Sequence, residues 1–170
     1  MEQTEISTDK IRLNLVDKSD VANIHTLRTN AEVASFINRD INKTVSETEE
    51  FIKKVTADSN KMLFYKIETK VDHNFVGTIC LKNIDLKNKY AEVGYELLPN
   101  FQGKGFMSEA LNSIIDFAFT NLKIETIEAF TNYQNARSRK LLEKLNFKLN
   151  DKMDMNNLNN VVYQLNKTNN

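Results

Sequence analysis

Residues 97–111 read "LLPNFQGKGFMSEAL". This stretch holds the chain's only proline, Pro99, and two of its four glycines, Gly103 and Gly105; the other two, Gly77 and Gly94, lie shortly upstream. The preceding segment "YAEVGYELL" reads as a strand. Behind the loop, Met107, Ala110, Leu111, Ile114, Ile115, Ala118 and Leu122 recur at helical spacing. A loop that leaves a strand and enters a helix is a prepared anion site. The first N–H groups of the helix have no internal partners, and its dipole places about half a positive charge there. Glycines let the backbone approach a phosphate without a Cβ in the way, so that successive N–H groups form a nest. Lys104 adds a charged donor. A plain strand-to-helix turn would use glycines in the same way, so the loop alone leaves both readings open.

Outward from the loop, the chain reads as one domain over residues 1–170. "IRLNLV" (11–16) alternates as a half-buried strand does. Ser19 or Asp20 can cap a following helix that carries Val21, Ile24 and Leu27. Ser46 and Glu49 in "SETEEFIKKV" have capping-box spacing. "KMLFYKIE" and "NFVGTICLKNI" read as strands joined by a polar turn. After the glycine loop and its helix come the strand "IETIEAFTN" and the helix "NARSRKLLEKL", with Leu141, Leu142 and Leu145 facing inward. Asn146 suits the left-handed stop position. "FKLND" and "VVYQLN" close the chain as strands. The order implies an α/β (α+β) domain on a mixed sheet.

Composition narrows the function classes. At 170 residues a chain buries roughly 70% of its unfolded surface. Hydrophobic residues are 41%, charged residues 27%, and the net charge is zero. That argues against a surface built to grip nucleic acid or an anionic membrane. No apolar run is long enough to span a bilayer, and the polar start "MEQTEISTDK" is unlike a secretory signal. The single cysteine, Cys80, permits no internal disulfide, which makes a reducing cytoplasm the expected setting. Cys80 sits in "VGTICL" and reads as a small core hydrophobe. His25 and His73 lack partners at ligand spacing, so no metal is expected.

Two nucleotide-binding patterns fail on the loop. A Walker loop needs GK followed by Ser or Thr, and here Gly105 follows; a dinucleotide fingerprint needs a glycine where Ser108 stands. "QGKGFM" (102–107) does resemble the acyl-CoA loop of the GNAT family of N-acetyltransferases, Q/R-x-x-G-x-G/A, except at the last position. "NARSRKLLEKLNF" resembles that family's last helix, in the subgroup of ribosomal-protein-alanine and spermidine N-acetyltransferases. Two departures stand out: Met107 replaces a small residue, and Asn146 replaces a glycine.

The resemblance implies a fold of six to seven mostly antiparallel strands flanked by about four helices. It implies direct, metal-free acetyl transfer from acetyl-CoA to an amine, a protein N-terminal amine being favoured. A polyamine or small antibiotic amine is the alternative, and a non-catalytic acyl-CoA-binding module is the alternative of another class. The expected cofactor contacts are Gln102, Gly103, Lys104, Gly105, Phe106 and Met107 at the diphosphate and Asn135 at the pantetheine arm. The N–H near Leu97 is expected to polarise the thioester, on a strand that carries a bulge and splays from its neighbour. Glu92 matches a base position, and alternation puts Glu96 on the same face. Many members place a Tyr where Leu142 stands; Ser138 matches the subgroup's serine and is expected at the thiol. Of the basic residues on the last helix, one is expected near the nucleotide phosphates. A monomer or a homodimer is expected.

Overall fold

The computed structural model describes residues 5–168; residues 1–4 and 169–170, the ends of the domain expected over 1–170, lie outside the described residues. The strands are β1 (Glu5–Ser7), β2 (Ile11–Leu15), β3 (Leu63–Thr69), β4 (Phe75–Asp85), β5 (Tyr90–Leu97), β6 (Thr126–Asn132), β7 (Lys148–Asn150) and β8 (Asn160–Asn166). The longer helices are α1 (Val21–Arg28), α2 (Val45–Thr56), α3 (Phe106–Thr120) and α4 (Ala136–Lys144). All eight described strands form one sheet in the order β1-β2-β3-β4-β5-β6-β8-β7. Only β5 and β6 pair in parallel, because α3 carries the chain across between them.

The two sheet faces have separate cores. Alternation along β2–β6 sends Leu13, Tyr65, Ile79, Val93 and Ile127 to the face covered by α3 and α4. There the helical stripe Met107, Ala110, Leu111, Ile114, Phe117 and Ala118 packs with Leu142 and Phe147. The opposite face packs Phe64 and Cys80 against Ile24 of α1 and Ile52 and Val55 of α2. Burying each such Leu, Ile or Phe contributes roughly 1.5–3 kcal/mol. Asn146 takes φ +67 after α4, the left-handed stop expected of it.

Four local readings need correction. The sheet has eight strands rather than six or seven; β1 is a short addition that pairs with β2. The cap of α2 is Thr44 with Glu47, two residues before the expected Ser46 and Glu49. Neither Ser19 nor Asp20 caps α1 with its side chain. A capping box of Asp17 and Asp20 instead closes a short turn ahead of it, and the Asp20 carboxylate also meets Lys66 at 2.7 Å. The strand before the loop carries no inserted residue: the register shifts fall in β4, around Val76 and Asn83, the latter at φ +50. The expected splay is present. β5 and β6 pair from Tyr90–Thr126 to Val93–Ala129 and no further, leaving Gly94–Leu97 and Phe130–Asn132 as two walls of a gap.

Candidate active site

A cleft of about 930 Å³ occupies that gap, a size ordinary for a ligand site. Its walls are the ends of β5 and β6, the glycine loop, the first turns of α3 and α4, and the segment 32–39. At one end Pro99–Phe101 makes a single helical turn, and the loop runs into α3 through Gly105. Gly103 has φ +75 and Gly105 φ +84, and an added Cβ at either would meet nothing within 4 Å. The glycines are there for backbone conformation and an open approach, not for tight internal packing. The N–H groups of residues 103–108 find no acceptor among the described residues. Consecutive free amides at the start of a helix of 15 residues make a nest for an anion.

The other loop residues hold this arrangement. Gln102 donates from Nε2 to the Leu97 carbonyl at 3.0 Å and accepts from Arg137, so it ties the end of β5 to α4. Phe106 meets Phe101 edge-on with centroids 6.1 Å apart. The Lys104 ammonium lies 5.9 Å from the Phe101 ring and is exposed. Met107 is 6% exposed, its side chain packed in the main core, so it does not cover the amides. Gly77 lets β5 come close: an added Cβ would lie 2.1 Å from the Glu96 carbonyl oxygen.

Across the gap, Asn135 caps α4, accepting the Ser138 N–H at 3.2 Å. Ser138 Oγ lies 2.8 Å from the Tyr95 hydroxyl. Burial pushes the Tyr95 phenol up to about 12. Leu142 is fully buried. Arg137 and Lys144 line the cleft on the α4 side, whereas Arg139 turns away to Tyr163 and the Tyr133 carbonyl.

The two carboxylates singled out on β5 are treated differently. Glu96 lines the cleft and is paired with Arg39, both side chains largely buried. Glu92 is not among the lining groups; it accepts from Asn83 at 2.9 Å and pairs with Lys82 at 3.4 Å. Arg39 and Tyr95 carry no motif of their own. Each meets its partner across a long stretch of chain, Arg39 to Glu96 and Tyr95 to Ser138, so only the fold reveals them. Cys80 is buried, and burial pushes its thiol up to about 11, which leaves it a core residue at neutral pH. No His, Cys, Asp or Glu group suited to a metal occurs among the described residues. Likewise, no helix there is long and apolar enough to cross a membrane.

A model of the acetyltransferase (GNAT) domain matches residues 10–148. The chain belongs to the GNAT family. An uncharacterized N-acetyltransferase, p20, of Bacillus licheniformis is 31% identical over 145 residues, 82% of this chain and 80% of that protein. Among solved structures, the spermidine N-acetyltransferase of Vibrio cholerae in complex with CoA and spermine superposes with a TM-score of 0.78. It is 23% identical, over 91% of this chain and 92% of that one. A ribosomal L7/L12 α-N-protein acetyltransferase in complex with coenzyme A superposes with a TM-score of 0.83 at 20% identity, over 95% and 97%. The GNAT domain is thus an acetyl-CoA-dependent N-acetyltransferase, and the mixed sheet with its splayed β5–β6 pair is the fold of that family.

Proposed function

We propose that this GNAT enzyme acetylates the α-amine of a protein or peptide N-terminus. The observation that carries this reading is the charge of the cleft. Its lining carboxylates are Glu32 and Glu96, and Glu96 is already neutralised by Arg39. Lys82 on the same wall is paired with Glu92, which stands outside the lining, and so adds no free acid. A polyamine with several ammonium groups finds little unpaired acid there. A peptide N-terminus brings one ammonium and a run of main-chain amides. Ser35, Asn38, Asn132, Asn157 and Asn160 on the wall are donors and acceptors suited to such amides.

In this reading the free amides of Gly103, Lys104, Gly105, Phe106 and Met107 bind the diphosphate of acetyl-CoA, with Arg137 and Lys144 toward the nucleotide. The pantetheine arm runs into the gap beside Asn135. The thioester carbonyl lies near Leu97 and accepts a backbone N–H, a preset donor worth on the order of 3 kcal/mol in the transition state. The amine is an ammonium at neutral pH and must lose a proton before attack. Glu96 is the better placed carboxylate to take it, directly or through water, because it lines the cleft. Glu92 is the second candidate, behind Lys82. The nitrogen then bonds to the acyl carbon and the C–S bond breaks toward Ser138.

The test is a panel of N-terminal peptides, polyamines and small amines with acetyl-CoA, read by free-thiol release. Turnover with peptides and little with spermidine is expected. The reverse preference would overturn the peptide reading. In the same assay Glu96→Gln slows turnover more than it weakens acetyl-CoA binding, and more than Glu92→Gln does. A larger effect at Glu92 returns the base role to that residue.

A further inference from the structure

Thioester cleavage leaves negative charge on sulfur, and the gap between β5 and β6 holds a pair of hydroxyls, Tyr95 and Ser138, 2.8 Å apart. We infer that the Tyr95–Ser138 pair acts as a hydrogen-bond relay to the departing thiolate, Tyr95 donating to Ser138 and Ser138 to sulfur, with no proton handed over. The inference rests on the acetyl-transfer reading above.

Four observations meet at this point. Tyr95 lies in Gly94–Leu97, the part of β5 that has parted from β6. Its ring packs against the main core, which sets the direction of the hydroxyl. That hydroxyl reaches across the gap to the first turn of α4, 2.8 Å from Ser138 Oγ, and both residues line the cleft. Ser138 is itself held, its N–H bonded to the capping Asn135, at the positive end of the helix. Other hydroxyls on the wall are less suited. Thr78 pairs with Glu96 in register and so shares the opposite face of the sheet from Tyr95.

The chemistry separates hydrogen bonding from proton donation. Burial holds the Tyr95 phenol near 12, whereas a free thiol ionises near about 8.5. Moving the phenolic proton to the thiolate is therefore uphill by more than about a thousandfold. A neutral phenol, however, is a good donor to the serine, and a polarised serine is a better donor to an anion. The balance is then complete. The ammonium gives one proton to carboxylate or water before attack, the nitrogen forms the new C–N bond and loses a second proton to the same acceptors as the neutral amide forms, the C–S electron pair leaves on sulfur, and the thiolate is protonated by solvent after it departs. Ser138 is the catalytic member and Tyr95 the positioning one.

The experiment compares Tyr95→Phe, Ser138→Ala and the double variant by thiol release, with an amine that turns over, from pH 6.5 to 10. Each single variant is expected to lower kcat about tenfold, with the acetyl-CoA dissociation constant unchanged. The double variant should be little worse than the worse single one, because both act through one relay. The shape of the pH profile should be the same in all four proteins. Wild-type kcat in Tyr95→Phe, an equal loss of acetyl-CoA binding, or independent additive losses would overturn the relay while leaving the acetyltransferase reading intact. Loss of a basic limb in Tyr95→Phe would make it a proton donor and overturn the inference as well. Absence of thiol release by the wild type with every amine would overturn the functional reading itself.

Discussion

Replacing Gly77 by alanine tests whether the close approach of β4 and β5 sets the geometry of the gap. In register, Gly77 faces Leu97, the last residue of β5. An alanine methyl there would lie 2.1 Å from the Glu96 carbonyl oxygen and 2.9 Å from Leu97 Cα. Ordinary contact begins near 3.4 Å, so the oxygen would have to retreat by about 1.3 Å. Both obstacles are backbone, so no rotamer change relieves them. Overpacking of this kind typically costs about 1–3 kcal/mol, and a loosened ladder bond adds about 1 kcal/mol. The segment that must move is one wall of the gap, bearing Tyr95, Glu96 and Leu97. Misplacing reacting groups by about 1 Å can cost on the order of a hundredfold in rate.

Urea unfolding of Gly77→Ala should therefore show a loss of about 3 kcal/mol, with kcat for thiol release down by on the order of a hundredfold. The free amides at 103–108 lie beyond the disturbance, so acetyl-CoA should still raise the melting temperature. Gly94→Ala is the control on the same pair of strands. Its methyl would meet only the Cys80 sulfur, at 3.3 Å, which can yield, so a loss below about 1 kcal/mol is expected. A Gly77→Ala protein with wild-type stability and turnover would refute the reasoning that this approach shapes the site.

Stability should decline above pH 10. Burial pushes both Tyr65 and Tyr95 up to about 12, whereas their unfolded forms ionise near about 10. The folded state then holds the phenolic protons longer, so the contribution is complete below pH 10 and is lost as pH rises toward 12. The full span is roughly 2–3 kcal/mol per tyrosine, read by urea unfolding at pH 9, 10 and 11. Tyr65→Phe should remove its share of that slope with little cost at pH 7, because the Tyr65 hydroxyl has no hydrogen-bond partner among the described residues. At the other core, Asp20→Ala should cost about 3–5 kcal/mol in urea, because it strands the Lys66 ammonium and frees the Asp17 N–H. A loss below about 1 kcal/mol would mean that the pair is not a closure of the turn ahead of α1.

The glycine loop at one end of the cleft was legible in the sequence for a physical reason: it is made from consecutive residues. Gly103 and Gly105 at positive φ, and the amides that no carbonyl reaches, are properties of one short run of backbone. Local periodicity likewise announced the main strands and helices. The α2 cap was misplaced because two boxes of equal spacing overlap, Thr44 with Glu47 and Ser46 with Glu49. The fold chooses the earlier one, which starts the helix early enough for buried Thr48 to meet His25, 2.8 Å away. That contact lies in the tertiary structure and has no trace in local pattern. The far wall of the cleft, where the proposed reading places the acceptor, is of the same kind. Its wall joins Arg39, Lys82, Glu96 and Asn157, which come from four separate parts of the chain. Whether Glu96 is a free carboxylate or a neutralised one depends on Arg39, and no spacing rule connects the two. In the proposed reading, recognition of the diphosphate is therefore local and backbone-made, while acceptor recognition is long-range and made by side chains. Substitutions at 32–39 and 157–160 should accordingly change the choice of amine without disturbing the amide nest proposed to take the diphosphate.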